Sequence, residues 1–345
     1  GIFLVGAGAL HAAAQSPTHS LDIRGQFRDG AIDTAHGQFF VTSYDRDTVW
    51  RIDPATGKVA TRINVGDGPV ALAQDEQVLA CVNRLGNSVT LVRLADLSIL
   101  ATVEVGSGPA AIAVLGEGRF VIANSFSDSL SLIDTRGSIS VTTLPDSPSV
   151  PVSVATTSGH IVALSRADNQ LYTYSASSLA FEKSFSLPED AIRIVAAGTS
   201  SVIALGKTSL SRINVASGAV EHTVNVSATD IAVAGDTVHV VTGDSYRRYG
   251  LDLSLRENRP LAESATVVVA RDTILALLDP KEGHLQAANL GLLTPRATPV
   301  ATAKSTAPDH TDDTTMVIVE ATPVNEAPPS EEPSEAAAAP PVVEE

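Results

Sequence analysis

The chain has one cysteine, Cys81, in 345 residues, and aromatic residues make up only 4 % of it. A lone cysteine cannot form an internal disulfide and supplies no metal cluster. It stands in the apolar run Val78 to Val82, where the pattern predicts a small buried hydrophobic side chain. With a single tryptophan but 44 % hydrophobic residues, a core must come from small and β-branched side chains, as in packed sheets.

Basic residues are scarce: the chain has 23 lysines and arginines and 39 acidic residues, which gives a net charge of −16. This balance argues against nucleic acid or an anionic membrane as a partner. Long hydrophobic runs are also missing. The apolar stretch Gly1 to Leu10 is about half of the roughly 20 residues that cross a bilayer.

That stretch and the following His11 to Gln15 are typical of the apolar core and cleavage region of a secretory signal. We therefore expect residues 1–20 to be a signal-peptide remnant and leader, and the protein to be periplasmic or secreted without a transmembrane span. A flexible or weakly helical N-terminus is the alternative.

The C-terminal residues carry mostly proline, alanine, threonine and glutamate. Residues 291–345 hold ten acidic side chains against Arg296 and Lys304, a net charge of −8. Such a segment buries too little apolar surface to offset its ordering entropy. We expect residues 293–345 to be a disordered acidic tail, within which Thr315 to Glu320 is a short strand, a docking motif or a chance apolar cluster.

Between these ends, one pattern recurs about every 40 residues. Three similar stretches are Phe40 to Asp53, Ala80 to Arg93 and Val121 to Asp134. The first two are followed by Val65-Gly-Asp-Gly-Pro69 and Val105-Gly-Ser-Gly-Pro109. A period of this length is typical of propellers and solenoids.

Each unit has four strand signals, which in the first unit fall at 33–35, 39–43, 48–52 and 60–65. Six turns between a third and a fourth strand can be counted along the chain, and a further turn follows the strand at 273–278. Together they indicate seven units. The last unit has three strand signals, at 266–270, 273–278 and 284–290, and Leu21 to Phe27 is a strand-like piece left over at the start. We therefore predict an all-β, seven-bladed β-propeller over residues 21–292, closed by an N-terminal strand. Six or eight blades, or a linear solenoid, are the alternatives.

The repeats resemble a known family. Phe40-Val-Thr-Ser43, Cys81-Val-Asn-Arg84 and Ile122-Ala-Asn-Ser125, with the Val-Gly-x-Gly-Pro turns, are similar to the YVTN-type propeller repeat. The Gly-His and Trp-Asp marks of the related WD40 blades are absent. The resemblance implies a secreted or periplasmic propeller of the kind found in bacterial envelope and archaeal surface proteins, mostly without established catalysis.

A ligand of a propeller usually binds at the mouth of the central channel, which the first strands line. Arg193 and Asp230 fall at one level of neighbouring first strands, where they either clamp a carboxylate or phosphate group or form a structural ion pair. Ser153 is a third candidate. Aligning the units gives six positions at this level: Ala71, Ala111, Ser153, Arg193, Asp230 and Thr266.

The loops between second and third strands share a face with the turns at Pro69 and Pro109. They mix charges and include tyrosines, which suits a protein or small-ligand surface, although ordinary solvated loops would look the same. The candidate partner-binding residues of this rim are Tyr44, Asp45, Arg46, Arg84, Arg166, Asp168, Tyr246 and Arg247.

Catalytic patterns are hard to find. The eight histidines have no metal-ligand spacing, and neither a phosphate loop nor a nucleophile elbow is present. We predict no catalytic residue, metal site or cofactor. The expected function is a monomeric, non-catalytic cell-envelope module that binds or scaffolds another envelope protein, a peptide or a glycan. A lactonase-like propeller hydrolase or lyase, or a subunit of a periplasmic redox complex, is the alternative.

Overall fold

The computed structural model describes residues 19–22, 26–53, 58–272, 274–279 and 284–288. All of them lie in one compact unit formed by residues 1–298. The predicted signal remnant, apart from its last two residues, and the predicted acidic tail lie outside the described residues, so both stay predictions. Among the residues described, no helix is long and apolar enough to cross a membrane.

The described chain is all-β and forms seven four-stranded antiparallel sheets, the blades of a β-propeller. Six blades consist of four consecutive strands each. Blade 1 contains β2 (Gly30–Asp33), β3 (Gln38–Ser43), β4 (Thr48–Ile52) and β5 (Val59–Asn64). Blade 2 contains β6 (Pro69–Gln74), β7 (Val78–Asn83), β8 (Ser88–Arg93) and β9 (Ile99–Glu104). Blade 3 contains β10 (Pro109–Gly116), β11 (Arg119–Asn124), β12 (Ser129–Asp134) and β13 (Ser140–Thr143).

The later blades repeat this order. Blade 4 contains β14 (Pro151–Thr156), β15 (His160–Ser165), β16 (Gln170–Ser175) and β17 (Phe181–Ser186). Blade 5 contains β18 (Ala191–Ala197), β19 (Ser201–Gly206), β20 (Ser209–Asn214) and β21 (Val220–Asn225). Blade 6 contains β22 (Asp230–Ala234), β23 (Thr237–Val241), β24 (Gly243–Gly250) and β25 (Leu255–Ala265). Blade 7 joins β26 (Val267–Arg271), β27 (Ile274–Asp279) and β28 (His284–Ala288) to β1 (His19–Asp22).

How deeply a strand is buried depends on its position in the blade, because each blade packs between two others. The second strand is covered on both faces, so β7 reads as a continuous apolar run whose residues are all buried, Cys81 among them. The fourth strand is the outer edge, and β13 is exposed throughout. The core therefore lies in layers between adjacent blades. One such layer packs Phe40 of blade 1 against Leu79 of blade 2.

The blades form a closed ring. The first strand of each blade contacts the first strand of the next, and β26 of blade 7 contacts β2 of blade 1. Blade 7 is completed by β1, which pairs antiparallel with β28 in the register Leu21 with Leu285. The N-terminal strand thus lies beside the strand for which it was predicted.

The predicted closing strand was too long at one end, however. β1 begins at His19 and ends at Asp22, whereas the prediction ran to Phe27. Residues 26–29 belong to blade 1 instead, because the carbonyl of Gln26 accepts a hydrogen bond from the N–H of Tyr44 at 2.9 Å. Phe27 is buried there, with its ring edge-on to Trp50 at 5.4 Å between centroids.

The first strand of blade 1 was also misplaced in sequence. It was predicted at residues 33–35, and the structure has it at Gly30–Asp33. Asp33 ends the strand, because its carboxylate accepts the N–H groups of Ala35 and His36 at 3.1 and 3.2 Å and so forms a turn. This three-residue shift brings Asp29 to the channel, with consequences given below.

Candidate functional site

The loops between second and third strands are fixed by a repeated hydrogen bond. In blades 1 to 4, an Asp or Asn side chain at the end of the loop accepts the N–H of the link that leads into the next blade. All four of these residues have positive φ, between 49 and 54°, which Asp and Asn tolerate better than other side chains. The pairs are Asp47 with Gly68 at 2.8 Å, Asn87 with Gly108 at 2.8 Å, Asp128 with Val150 at 2.7 Å and Asn169 with Ala191 at 3.1 Å.

The glycines of the two Val-Gly-x-Gly-Pro links are required by this packing. Gly68 and Gly108 have φ of 65 and 61°. A Cβ added to Gly108 would lie 2.4 Å from Cδ2 of Phe126, and one added to Gly68 would lie 2.7 Å from Cγ of Leu85. Because these glycines have no side chain, Leu85 and Phe126 can pack directly on the backbone of the links.

Leu85 and Phe126 occupy corresponding places in the loops of blades 2 and 3. One face of each side chain packs on a glycine link, and the rest is in water, with exposed fractions of 62 % for Leu85 and 74 % for Phe126. Tyr44, in the loop of blade 1, also approaches Gly68. These side chains form a line of large residues in corresponding loops of three neighbouring blades.

Two arginines lie over the aromatic rings of this line. The Cζ atom of Arg84 is 4.8 Å from the ring centroid of Phe126, and that of Arg28 is 5.1 Å from the ring centroid of Tyr44. Arg84 also donates from Nη1 to the carbonyl of Gly108 at 3.4 Å. We call this set the loop arc, and it consists of Arg28, Tyr44, Arg84, Leu85 and Phe126. It combines apolar surface with fixed positive charge.

Sequence reasoning identified Tyr44 and Arg84 but missed Arg28, Leu85 and Phe126. The sequence did contain an indication of Leu85 and Phe126. Leu85 and Phe126 are the only large apolar residues at the second position of aligned, otherwise polar loops. Large apolar residues conspicuously exposed on a surface often mark a contact site.

Four other predicted rim residues lie in the loops as expected, although several are engaged. Asp45 accepts the N–H of Gln26 at 3.1 Å, and this bond contributes to lowering the pKa of that carboxyl against the effect of burial. Arg46 lies 5.5 Å from the ring centroid of Trp50. Asp168 accepts the hydroxyl of Tyr172 at 2.6 Å. Arg166 is exposed in the same loop as Asp168.

The loop placement predicted for Tyr246 and Arg247 was wrong, because both lie within β24. β23 ends at Val241 and β24 begins at Gly243, so a single residue, Thr242, separates the two strands. Tyr246 is buried, and its hydroxyl hydrogen-bonds Nδ1 of His239 at 2.7 Å. Burial raises the pKa of Tyr246 to about 12. Burial, assisted by the charge of Arg248, lowers the pKa of His239 to about 4.

The central channel holds a cavity of about 530 Å³ that residues from the first strands of all seven blades line. Arg193 in β18 and Asp230 in β22 meet across neighbouring blades, with Nη1 of the arginine 2.8 Å from Oδ1 of the aspartate. Burial raises the pKa of Asp230, while the guanidinium of Arg193 and the N–H of Val268 oppose that rise. The predicted juxtaposition of the two side chains is therefore present.

Three polar side chains on this ring connect one blade to the next. Oδ2 of Asp230 accepts the N–H of Val268 at 3.0 Å. Oγ of Ser153 accepts the N–H of Ile194 at 3.1 Å and donates to the carbonyl of the same residue at 3.4 Å. Ser153 was predicted as a ligand-binding residue, but the structure places its hydroxyl in a bond between blades 4 and 5.

Asp29 makes the third connection, and sequence reasoning missed it because the first strand of blade 1 was placed too far along the chain. Its Oδ2 accepts the N–H of Leu72 in blade 2 at 2.9 Å. Burial raises the pKa of Asp29 to about 6, and the charge of Arg193 limits the rise. At the other end of the ring, Val267 and not Thr266 holds the equivalent place, since Val267 pairs with Leu278 as Arg193 pairs with Leu205.

No cluster of three or more His, Cys, Asp or Glu side chains suited to a metal ion occurs within the described part of the chain. The channel residues are instead two arginines, Arg28 and Arg193, two carboxylates engaged with backbone N–H groups, and mostly small apolar side chains. This arrangement can hold a ligand by charge and shape.

Comparison with known proteins supports the fold. No protein-family model matches the chain, and no curated protein matches it. Among solved structures, it is similar to the β-propeller domain of Cps50 (Swd1) from Myceliophteria thermophila, with a TM-score of 0.66 and 14 % sequence identity. The match covers 79 % of this chain and 98 % of that one. The chain is thus a β-propeller, and at this identity the similarity shows the fold alone.

Proposed function

We propose that this chain is a non-catalytic, monomeric binding module of the cell envelope, a YVTN-type propeller that captures a segment of another envelope protein on the loop arc. The apolar N-terminal stretch and the resemblance of the repeats support the envelope location. The exposure of Leu85 and Phe126 on neighbouring blades is the observation that carries the binding role.

The chemistry of the arc defines the partner segment. Apolar side chains of a partner would cover Leu85 and Phe126, and the two arginines beside the rings would pair with carboxylates. Acidic side chains in the same loops are partly withdrawn from this surface. Asp47 and Asp128 accept backbone N–H groups of the following links. A segment with apolar and acidic residues in alternation fits better than a basic or a purely polar one.

The support under the arc favours a specific site over a chance apolar patch. Leu85 and Phe126 lie on glycine links whose positive φ and missing Cβ atoms leave the space they occupy. The bond from Asn87 to Gly108 holds the loop of blade 2 against the link on which Phe126 lies. Such preorganisation reduces the entropy cost of binding.

The test selects random peptides displayed on phage against the full chain. We expect the selected peptides to be enriched in apolar and acidic residues, and to lose at least tenfold in affinity when Leu85→Ser and Phe126→Ser are combined. The matched control is Ile99→Ser, which alters a residue that is 51 % exposed on the outer strand β9 of blade 2. It should leave the affinity unchanged.

Two results would overturn the proposal. One is a set of peptides with no apolar or acidic preference, and the other is binding that Ile99→Ser weakens as much as the double change does. Binding of neutral glycans on an array, with no peptide selected, would also contradict it and favour a carbohydrate-binding propeller.

A further inference from the structure

The central channel is a cavity of suitable size for a ligand, and it shares Arg28 with the loop arc. Its volume of about 530 Å³ lies within the range of roughly 300 to 1,000 Å³ typical of small-molecule sites. Alanines keep the channel open because they fill little of it. They are Ala71, Ala110, Ala111, Ala113, Ala155, Ala196, Ala232 and Ala270.

Arg28 and Arg193 both line the channel, and Arg28 also belongs to the loop arc. Arg193 lies on the first strand of blade 5, and its side chain is 38 % exposed, against 6 % for Asp230. The one side-chain bond of its guanidinium to the described residues runs from Nη1 to Asp230. Arg193 lines the cavity, and the remaining donors of its planar guanidinium can bind a carboxylate there through two parallel hydrogen bonds.

The carboxylates of the channel are already satisfied. Asp230 accepts from Arg193 through Oδ1 and from the N–H of Val268 through Oδ2. Asp29 accepts the N–H of Gly30 through Oδ1 and that of Leu72 through Oδ2, both at 2.9 Å. The chemistry that the channel lacks is thus an acceptor for Arg193 and not a cation for the aspartates.

We infer that the channel binds a small monocarboxylate with an apolar body, whose carboxylate is held by Arg193 and whose body lies against the alanine-rich wall. A doubly charged phosphate fits less well, because Asp29 and Asp230 both lie near the guanidinium. The inference does not rest on the function proposed above, because Arg193 is not part of the loop arc and Arg28 is the one residue that both sites contain.

Binding should strengthen as the pH falls from 7.5 to 5.5. A ligand carboxylate with a pKa of about 4 stays mostly ionised over this range, whereas Asp29, whose pKa is raised to about 6, becomes neutral and stops repelling it. The charged groups that act on Asp29 are Arg193 and Asp230. Cys81 also lies close, but burial raises the pKa of its thiol and keeps it neutral.

The experiment compares matched carboxylates and carboxamides by ligand-observed NMR with the full chain. The probes are benzoate against benzamide and hexanoate against hexanamide. We expect each carboxylate to bind at least tenfold more tightly than its amide at pH 6. Arg193→Gln should abolish this preference, Arg193→Lys should weaken it, and Arg166→Gln, which alters an exposed loop arginine, should leave it unchanged.

Asp29→Asn gives a second, independent readout. It should retain carboxylate binding and remove the pH dependence between 7.5 and 5.5. Equal binding of acids and amides by the unaltered chain, or no binding of either, would overturn the inference even if Arg193→Gln fails to fold. If Arg193→Gln only lowers the Tm and leaves the preference intact, the pair with Asp230 is structural and the inference is wrong. Leu85→Ser with Phe126→Ser should not affect this site.

Discussion

Replacing Asp29 with asparagine should change how the stability of the propeller depends on pH. The amide would keep the size of the side chain and one oxygen to accept a backbone N–H, but it cannot ionise. Because burial raises the pKa of Asp29 from 3.8 to about 6, the folded chain binds this proton more tightly than the unfolded chain does. The stabilisation from this group is complete below pH 3.8 and is lost as the pH rises through 6.

The size of the effect follows from the two pKa values. A shift of about two units corresponds to at most about 3 kcal/mol, since each unit is worth about 1.4 kcal/mol and Asp29 is partly open to the channel. Over the narrower window from pH 4 to pH 7, we expect roughly 2 kcal/mol. Titrating groups that do not interact with Asp29 act equally in both proteins and cancel in the difference.

Urea unfolding of the unaltered chain and of Asp29→Asn at several pH values from 4 to 8 measures this difference. The free energy of unfolding of the unaltered chain, minus that of the variant, should fall steadily as the pH rises. A difference that stays constant across the series would refute the assignment of a raised pKa to Asp29, and with it the burial of this carboxylate between blades 1 and 2.

Three further predictions concern the packing and the closure of the ring. Gly108→Ala should lower the free energy of unfolding by about 1 to 2 kcal/mol, because φ is 61° there and a Cβ would meet Phe126. The destabilisation should be smaller in a Phe126→Ala background. An equal destabilisation in both backgrounds would contradict the contact. The chain should lose stability as the pH falls from 6.5 to 4, because the pKa of His239 is lowered to about 4, and His239→Gln should reduce this loss by up to about 3 kcal/mol. Identical pH profiles of the two proteins in urea unfolding would refute this. Removal of residues up to Asp22 should lower the Tm and cause association on size-exclusion chromatography by exposing the edge of β28, whereas an unchanged Tm would show that β1 does not hold the ring.

The repeat pattern was sufficient to predict the architecture. The spacing of about 40 residues, the three similar stretches and the strand signal left over at the start predicted an all-β propeller whose last blade takes its fourth strand from the N-terminus. These features depend on local periodicity and turn chemistry, which a single sequence records directly. The pairing of β1 with β28 follows from the need to leave no open edge.

The site was harder to predict, because it depends on small offsets and on contacts between blades. An error of three residues in the first strand of blade 1 concealed Asp29, and the turn made by Asp33 was its cause. Tyr246 was misassigned because only one residue, Thr242, separates β23 from β24, and Tyr246 therefore lies within a strand. In both cases polar residues near a strand end fitted either assignment.

The pairing of Arg193 with Asp230 was predicted because the repeat itself aligns neighbouring blades. By contrast, nothing in the sequence around Leu85 and Phe126 reveals that glycine links lie beneath them. Their support comes from residues about 18 positions away, at Gly68 and Gly108, through contacts that exist only after the blades have assembled. The loop arc is therefore a property of the folded ring.

Hydrogen exchange of the full chain, with and without a selected peptide, shows whether the loop arc is the binding surface. The peptide should slow amide exchange in the loops at 44–47, 84–87 and 125–128, on the face that carries Leu85 and Phe126. Protection confined to the outer strands β9, β13 and β17, with these loops unchanged, would contradict the claim that the loop arc is the binding surface.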